Sequence, residues 1–141
     1  MKYTQIILVL VLIGFVMVSC APSSPSTLEI MDILETKVNE RDLEGVMTLF
    51  AEDAVFDISY ETISYIGTKE IEYYWTTYYF TTPYITEFRD ISVEGNSATF
   101  IWAEIGTSYT TLWPTIIEVQ NGKITYMDWP EDTEPILTGD E

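Results

Sequence analysis

The stretch EIEYYWTTYYFTTPY, residues 70–84, places seven aromatic residues in fifteen positions. Its threonines and tyrosines favour extended chain over helix, so residue type alone reads it as a strand. Helix and binding-site wall are the other two readings. The segments on either side decide among them.

On the N-terminal side, Leu28, Met31, Leu34 and Val38 recur at steps of three and four, the spacing of an amphipathic helix, with Ser26 or Thr27 as its N-cap. DLEGVMTLFAED, residues 42–53, reads as a second short helix capped by Asp42 and closed by Asp53. AVFDISY (54–60) and ETISYIG (61–67) then read as two strands in a tight pair. On the C-terminal side, YITEFRDISVEG (84–95) and NSATFIWAEIG (96–106) alternate around a Glu94-Gly95-Asn96 turn. YTTLWPTIIEVQNG (109–122) and KITYMDW (123–129) repeat the pattern around Asn121-Gly122, a dipeptide suited to a type I′ turn.

The first twenty residues differ from everything that follows. Lys2 precedes an apolar run from Ile6 to Val18, with no acidic residue, which has the form of a secretory signal peptide. The run is about 13 residues, short of the roughly 20 that a spanning helix needs. Met17, Val18, Ser19 and Cys20 resemble a bacterial lipobox, with methionine in place of the usual leucine. Residues 1–19 are therefore expected to be a signal peptide, and Cys20 the lipidated residue of an extracytoplasmic, membrane-anchored lipoprotein. The Pro/Ser-rich APSSPST that follows completes a flexible tether over residues 20–27. The folded domain is expected over residues 28–130, and the acidic segment 131–141 is expected to fray.

Composition excludes several chemistries. Cys20 is the only cysteine, so no internal disulfide and no Cys-rich metal site can form. The chain has no histidine, which removes a Ser/His/Asp triad, a Cys/His pair and a histidine-ligated zinc site. Neither a metal nor an organic cofactor is expected. Six basic residues face 23 acidic ones, and loss of the leader removes Lys2 alone, leaving five against 23 or about −18. Such a field repels phosphate backbones, so nucleic acid is not an expected partner. Any acid or base must be a carboxylate, a tyrosine or a lysine.

DLEGVMTLFAEDAVFD, YIGTKEIEYYW and IIEVQNGKITYMDW, in that order and spacing, resemble the nuclear transport factor 2-like superfamily, especially its SnoaL-like and ketosteroid-isomerase-like branches. The resemblance covers about residues 28–130. It implies an α+β fold of the cystatin-like roll type, a cone-shaped, curved antiparallel sheet packed with three N-terminal helices and open at one end. It also implies that the segment after Gly67 is the third helix, with Thr68 as N-cap and Glu70 in the first turn where a negative charge suits the helix dipole. Ile71, Trp75, Tyr78 and Tyr79 then share one face, and the helix ends near Phe80, before Pro83.

The isomerase machinery that the resemblance implies does not carry over. The general base, eight positions after the phenylalanine of the F-A-x-D motif, falls on Ile58. The first-helix tyrosine falls on Leu34, and the second oxyanion donor falls near Thr115. Three acids remain as candidate catalytic groups. Asp57 is one place from the base position and is expected on the opposite strand face. Glu104 shares a face with Ala98, Phe100 and Trp102, and is either at a rim or buried with a raised pKa. Asp128 alternates with Tyr126 and Ile124, and Arg89 is a possible partner for one of these acids. Tyr60, Tyr65, Trp75, Tyr79, Trp102 and Trp113 are the candidate pocket wall, although rings such as Trp75, Tyr79, Trp102 and Trp113 are more often core than ligand wall.

The resulting expectation is an anchored domain that binds a small hydrophobic molecule or a protein partner without catalysis. A SnoaL-like isomerase or dehydratase using carboxylate and tyrosine is the alternative. A module that homodimerises through its sheet face is a third.

Overall fold

A computed structural model describes residues 24–130 and 136–139. The leader, Cys20 and the acidic segment 131–135 lie outside the described residues.

Helix α1 spans Thr27–Asn39 and starts on a capping box: the Glu29 N–H donates to Ser26 Oγ and the Ser26 N–H donates back to the Glu29 carboxylate at 2.7 Å. Thr27, Ile30, Met31, Leu34 and Val38 form its buried stripe. Leu28, expected inward, is instead exposed. It lies one residue off that stripe, and Thr27 takes the inward position, donating to the Gly95 carbonyl.

Helix α2 is only Leu43–Met47, with the Asp42 carboxylate accepting the Gly45 N–H. The expected helix to Asp53 stops early because the chain has a better use for its next residues. Phe50 starts β1, Phe50–Ile58, and the Leu49 carbonyl accepts the Ile124 N–H at 2.7 Å. Gly45 weakens the helix, and the aromatic and β-branched residues beyond it suit a strand. A 3₁₀ turn at Ser59–Glu61 and a left-handed Thr62 then separate β1 from β2, Ile63–Ile66, which runs antiparallel to it.

The aromatic stretch is a helix. α3 spans Thr68–Thr77 and buries Ile71, Tyr74 and Trp75. Three details depart from expectation. Gly67, at φ +79°, is the N-cap in place of Thr68, and no side chain caps the helix; the Glu70 carboxylate accepts the Ile66 N–H instead. Tyr74, not Tyr78, is on the buried face, and Tyr78 is exposed. Tyr79–Thr81 form a separate 3₁₀ turn, pinned by Arg41, whose guanidinium donates to the Phe80 and Thr82 carbonyls. Tertiary packing of this face overrides weak helix propensity.

Strands β3 (Ile85–Glu94), β4 (Ser97–Ile105), β5 (Tyr109–Gln120) and β6 (Lys123–Trp129) make a meander, with the expected hairpins β3–β4 and β5–β6 joined by the antiparallel β4–β5 pair. Asn121 at φ +53° and Gly122 at φ +72° give the second turn the two left-handed residues that type I′ requires. The sheet order is β2-β1-β6-β5-β4-β3. It is mixed, where a wholly antiparallel sheet was expected: β6 returns alongside β1 only after four intervening strands, β2 to β5, and pairs with it in parallel. Register shifts within β3 and in the β1–β6 and β5–β6 pairs mark where the sheet bends. A seventh strand, β7 (Ile136–Gly139), pairs with β5 from Tyr109 to Leu112, so this part of the expected fraying tail is ordered against the sheet.

Direction matters for the site. Both hairpin turns and the start of α1 lie at one end, where Pro25 packs against Gly122 and Thr27 bonds Gly95. The ends of β1, β6 and α3 lie at the other.

Candidate functional site

At that second end a cleft of about 270 Å³ opens to solvent, lined by Ile58, Tyr60, Glu61, Ile63, Tyr65, Tyr74 and Tyr78. Each wall follows from local sequence. The 3₁₀ turn after β1 presents Tyr60 and Glu61, alternation along β2 puts Ile63 and Tyr65 on one face, and Tyr74 and Tyr78 are one helical turn apart. The rings are braced from behind. Tyr60 lies 5.3 Å from Trp113, Tyr65 lies 6.1 Å from Phe56, and Tyr74 packs edge-on against Phe56 at 4.9 Å. Burial pushes the Tyr60 and Tyr65 hydroxyls above the ordinary tyrosine range, and the neighbouring Glu61 charge pushes in the same direction. These hydroxyls are neutral donors at physiological pH.

Sequence reasoning placed Tyr60 and Tyr65 on a pocket wall, and both line this cleft. Trp75, Tyr79 and Trp102 do not. They fill the cone: Trp75 and Trp102 are wholly buried, Tyr79 is 4.7 Å from Trp75, and Trp102 packs on Phe88 at 4.7 Å. The Trp102 indole N–H donates to the Tyr79 hydroxyl at 2.8 Å, which also bonds Thr86 Oγ1 at 2.7 Å. Burial raises the Tyr79 pKa, and the bonds to Thr86 and Trp102 are satisfied within the core. Trp113 stands between wall and core, stacked at 5.0 Å on Trp129. Large rings occupy the volume where an internal cavity would lie.

The positions of the isomerase groups carry no acid. Ile58 and Leu34 are buried apolar residues and Thr115 is a buried threonine bonded to the Trp113 carbonyl. Glu104 is the one candidate acid on the inner face. It is 6 % exposed, opposite Thr86 on β3 and Thr111 on β5. Burial raises its pKa, and the indole N–H of Trp113 opposes that shift without closing a full hydrogen bond. Its charge, when present, acts on Tyr60, Tyr74, Tyr79 and Tyr84.

Asp57 and Asp128 face the other way. They are cross-strand partners in the parallel β1–β6 pair, on the face opposite the buried Phe56, Met127 and Trp129. Ser64 Oγ donates to Asp57 at 2.5 Å and Ser59 Oγ to Asp128 at 2.7 Å. The Tyr126 hydroxyl lies between the two carboxylates, and its pKa is raised by burial first and by these acids second. Asp128 therefore lies on the outer face, although it is itself buried: the irregularity between Glu118 and Val119 in the β5–β6 pair puts Met127, not Tyr126, in phase with the core. Arg89 partners none of the candidate acids. It pairs with Glu87, two residues away on the same strand face.

Glu61, Ile63, Tyr74 and Tyr78 were not marked as wall residues in the sequence. The sole available signal was the four-residue spacing of Tyr74 and Tyr78, and the turn that brings Glu61 across from them has no strong motif. Among the described residues no group of three or more His, Cys, Asp and Glu is placed to hold a metal, and no helix is long and apolar enough to cross a membrane.

Several solved structures share this architecture. A protein from Kribbella flavida assigned by inference as a ketosteroid isomerase is 19% identical, with a TM-score of 0.67 over 78% of this chain and 82% of its own. A nuclear transport factor 2-like protein of unknown function from Burkholderia xenovorans is 15% identical, with a TM-score of 0.65 over 82% and 84%. The epoxide hydrolase/cyclase-like enzyme SalBIII of salinomycin pyran ring formation is 19% identical, with a TM-score of 0.65 over 72% and 87%. At these identities the likeness shows the fold alone. No curated protein matches the chain. The SnoaL-like domain profile matches residues 32–127, more than half of the sequence, from within α1 to within β6, and the chain belongs to that family.

Proposed function

We propose that this SnoaL-like domain binds a small, largely apolar molecule in the tyrosine cleft and does no chemistry on it. The observation that carries this reading is the filled cone. The interior holds Trp75, Tyr79, Trp102 and Trp129 in edge-to-face and tilted contact, and the inherited base position is the buried Ile58. Among the hollows that open at the surface of the described residues, the tyrosine cleft is ring-lined with phenolic tips, suited to an apolar body and a few directed hydrogen bonds.

The proposal includes the anchor. With Cys20 lipidated after removal of residues 1–19, the domain sits on the extracytoplasmic side of a membrane. The described chain leaves the cone at its turn end, where Pro25 packs on Gly122, so the anchor holds that end toward the bilayer. The cleft then faces away from the membrane and takes its ligand from the aqueous side.

Native mass spectrometry of the protein purified from its own cells tests the binding function. A small-molecule adduct that disappears in a Tyr65→Ala, Tyr78→Ala variant is the expected result. A bare mass from cells in every growth condition, with no adduct on adding aromatic probes, contradicts it. One observation favours a second reading, an enzyme of isomerase or cyclase type: Glu104 is a buried carboxyl with a raised pKa, near several phenols. That reading needs turnover that Glu104→Gln abolishes.

A further inference from the structure

The cleft has a sharper chemical character than apolar. Four phenolic rings line it from three separate elements, and the one formally charged group on its wall is an acid, Glu61. Tyr65 and Tyr74 are 5.2 Å apart at 52°, and Tyr74 and Tyr78 are 5.8 Å apart at 33°. These rings are inclined to one another, not stacked flat, along the wall of the cleft. The face of an aromatic ring carries partial negative charge. Among the described residues the ion pairs involve Glu40, Asp42 and Glu87, and none neutralises Glu61. Burial comes first in raising the Tyr60 and Tyr65 pKa and a bond to Tyr73 comes first for Tyr78; the nearby Glu61 charge adds to all three, least at Tyr78.

Three ligand classes can be compared. An anion meets Glu61 and the field of a chain at −17, and is repelled. A neutral apolar molecule gains burial but nothing from the acid. A cation clad in methyl groups gains burial, the ring faces and the acid together, and the net charge steers it inward. The volume, about 270 Å³, is just under the range typical of drug-sized ligands and is matched to a headgroup.

We propose that the cleft is an aromatic cage for a small organic cation, a quaternary ammonium or methylated amine, held against Tyr65, Tyr74 and Tyr78 with Glu61 as its counter-charge. The proposal rests on the assignment of this cleft as the binding site. Its test therefore compares charge at constant shape. Calorimetric titration of the full protein with choline and with 3,3-dimethyl-1-butanol, its neutral isostere, gives choline an affinity at least about ten-fold higher. Tyr78→Leu keeps the apolar area at an exposed position and removes the ring. It weakens choline about two- to five-fold and weakens the isostere by clearly less. Glu61→Gln, also exposed, has the same selective effect. Equal or tighter binding of the isostere overturns the cation assignment and leaves the apolar-ligand reading standing. No binding of either, or of an aromatic probe, at millimolar concentration overturns both.

Discussion

Replacing Tyr79 with phenylalanine removes one oxygen from the centre of the cone and little else. That oxygen accepts the Trp102 indole N–H at 2.8 Å and shares a proton with Thr86 Oγ1 at 2.7 Å. Trp102 is 0 % exposed and Thr86 2 %, so neither partner finds water when the oxygen goes. The Thr86 N–H and carbonyl are already engaged by the Asn39 side chain. An indole N–H can only donate, so Trp102 is left with an orphaned donor. A stranded buried polar group costs about 1–3 kcal/mol, and the second lost bond adds about 1. The expected loss is about 2–4 kcal/mol, with no packing loss added, because the phenylalanine ring keeps its contacts with Trp75 and Phe80. In a domain of this size that lowers Tm by roughly 10 °C or more. Urea denaturation followed by circular dichroism measures it, and a Tyr79→Phe, Thr86→Val cycle is expected to be less than additive by at least about 0.5 kcal/mol. A loss below about 0.5 kcal/mol from Tyr79→Phe would refute the reasoning, since it would mean that water reaches the network and the cone is open.

Four further outcomes follow from particular side chains. The Glu104 pKa is raised on folding, so its contribution is fully present below the ordinary carboxyl pKa and is lost as pH rises through the higher folded value. Glu104→Gln therefore flattens the stability–pH profile from about pH 4.5 upward and makes the variant the more stable protein at neutral pH, by about 1.4 kcal/mol per unit of the shift; thermal melts from pH 4 to 8 read this directly. Asn39→Ala removes two 2.8 Å bonds to the Thr86 backbone at the start of β3, and costs about 1–3 kcal/mol with faster amide exchange at Thr86. Cys20→Ser releases the protein from the membrane fraction, and retention there defeats the lipoprotein assignment. With Cys20 lipidated, a label at Asn121→Cys is quenched by bilayer-embedded probes more than one at Thr62→Cys.

Much of the fold was legible because local chemistry and tertiary demand agree. Asn121-Gly122 and Gly95-Asn96 are turn-forming residues between alternating strands, and Ser26 with Glu29 is a complete capping box. Three motifs in the right order were enough to turn residues 70–84 from strand to helix. What the residues did not reveal depends on distant partners. α2 ends at Met47 because Phe50 is claimed by Ile124, more than seventy residues away. The parallel β1–β6 pair sets Asp57 beside Asp128, which no local pattern encodes. The cleft was half legible. Tyr60 and Tyr65 were on the list for their residue type, but Trp75 and Trp102 were there for the same reason and are core. Residue type marks a surplus of aromatic surface, and only packing decides which rings are spent inside. Tyr78, assigned to the buried face, reaches the cleft because the helix ends at Thr77 and the chain turns away.

The central claim is that the binding surface is the tyrosine cleft and that the cone behind it is full. Aromatic ¹H–¹³C NMR spectra of the isotope-labelled protein, recorded while choline and then 3,3-dimethyl-1-butanol are added, test both halves at once. Progressive shifts are expected for the Tyr65, Tyr74 and Tyr78 rings, with Trp75, Tyr79 and Trp102 unmoved. Shifts centred on Trp75, Tyr79 and Trp102 would contradict it by placing the ligand inside the cone.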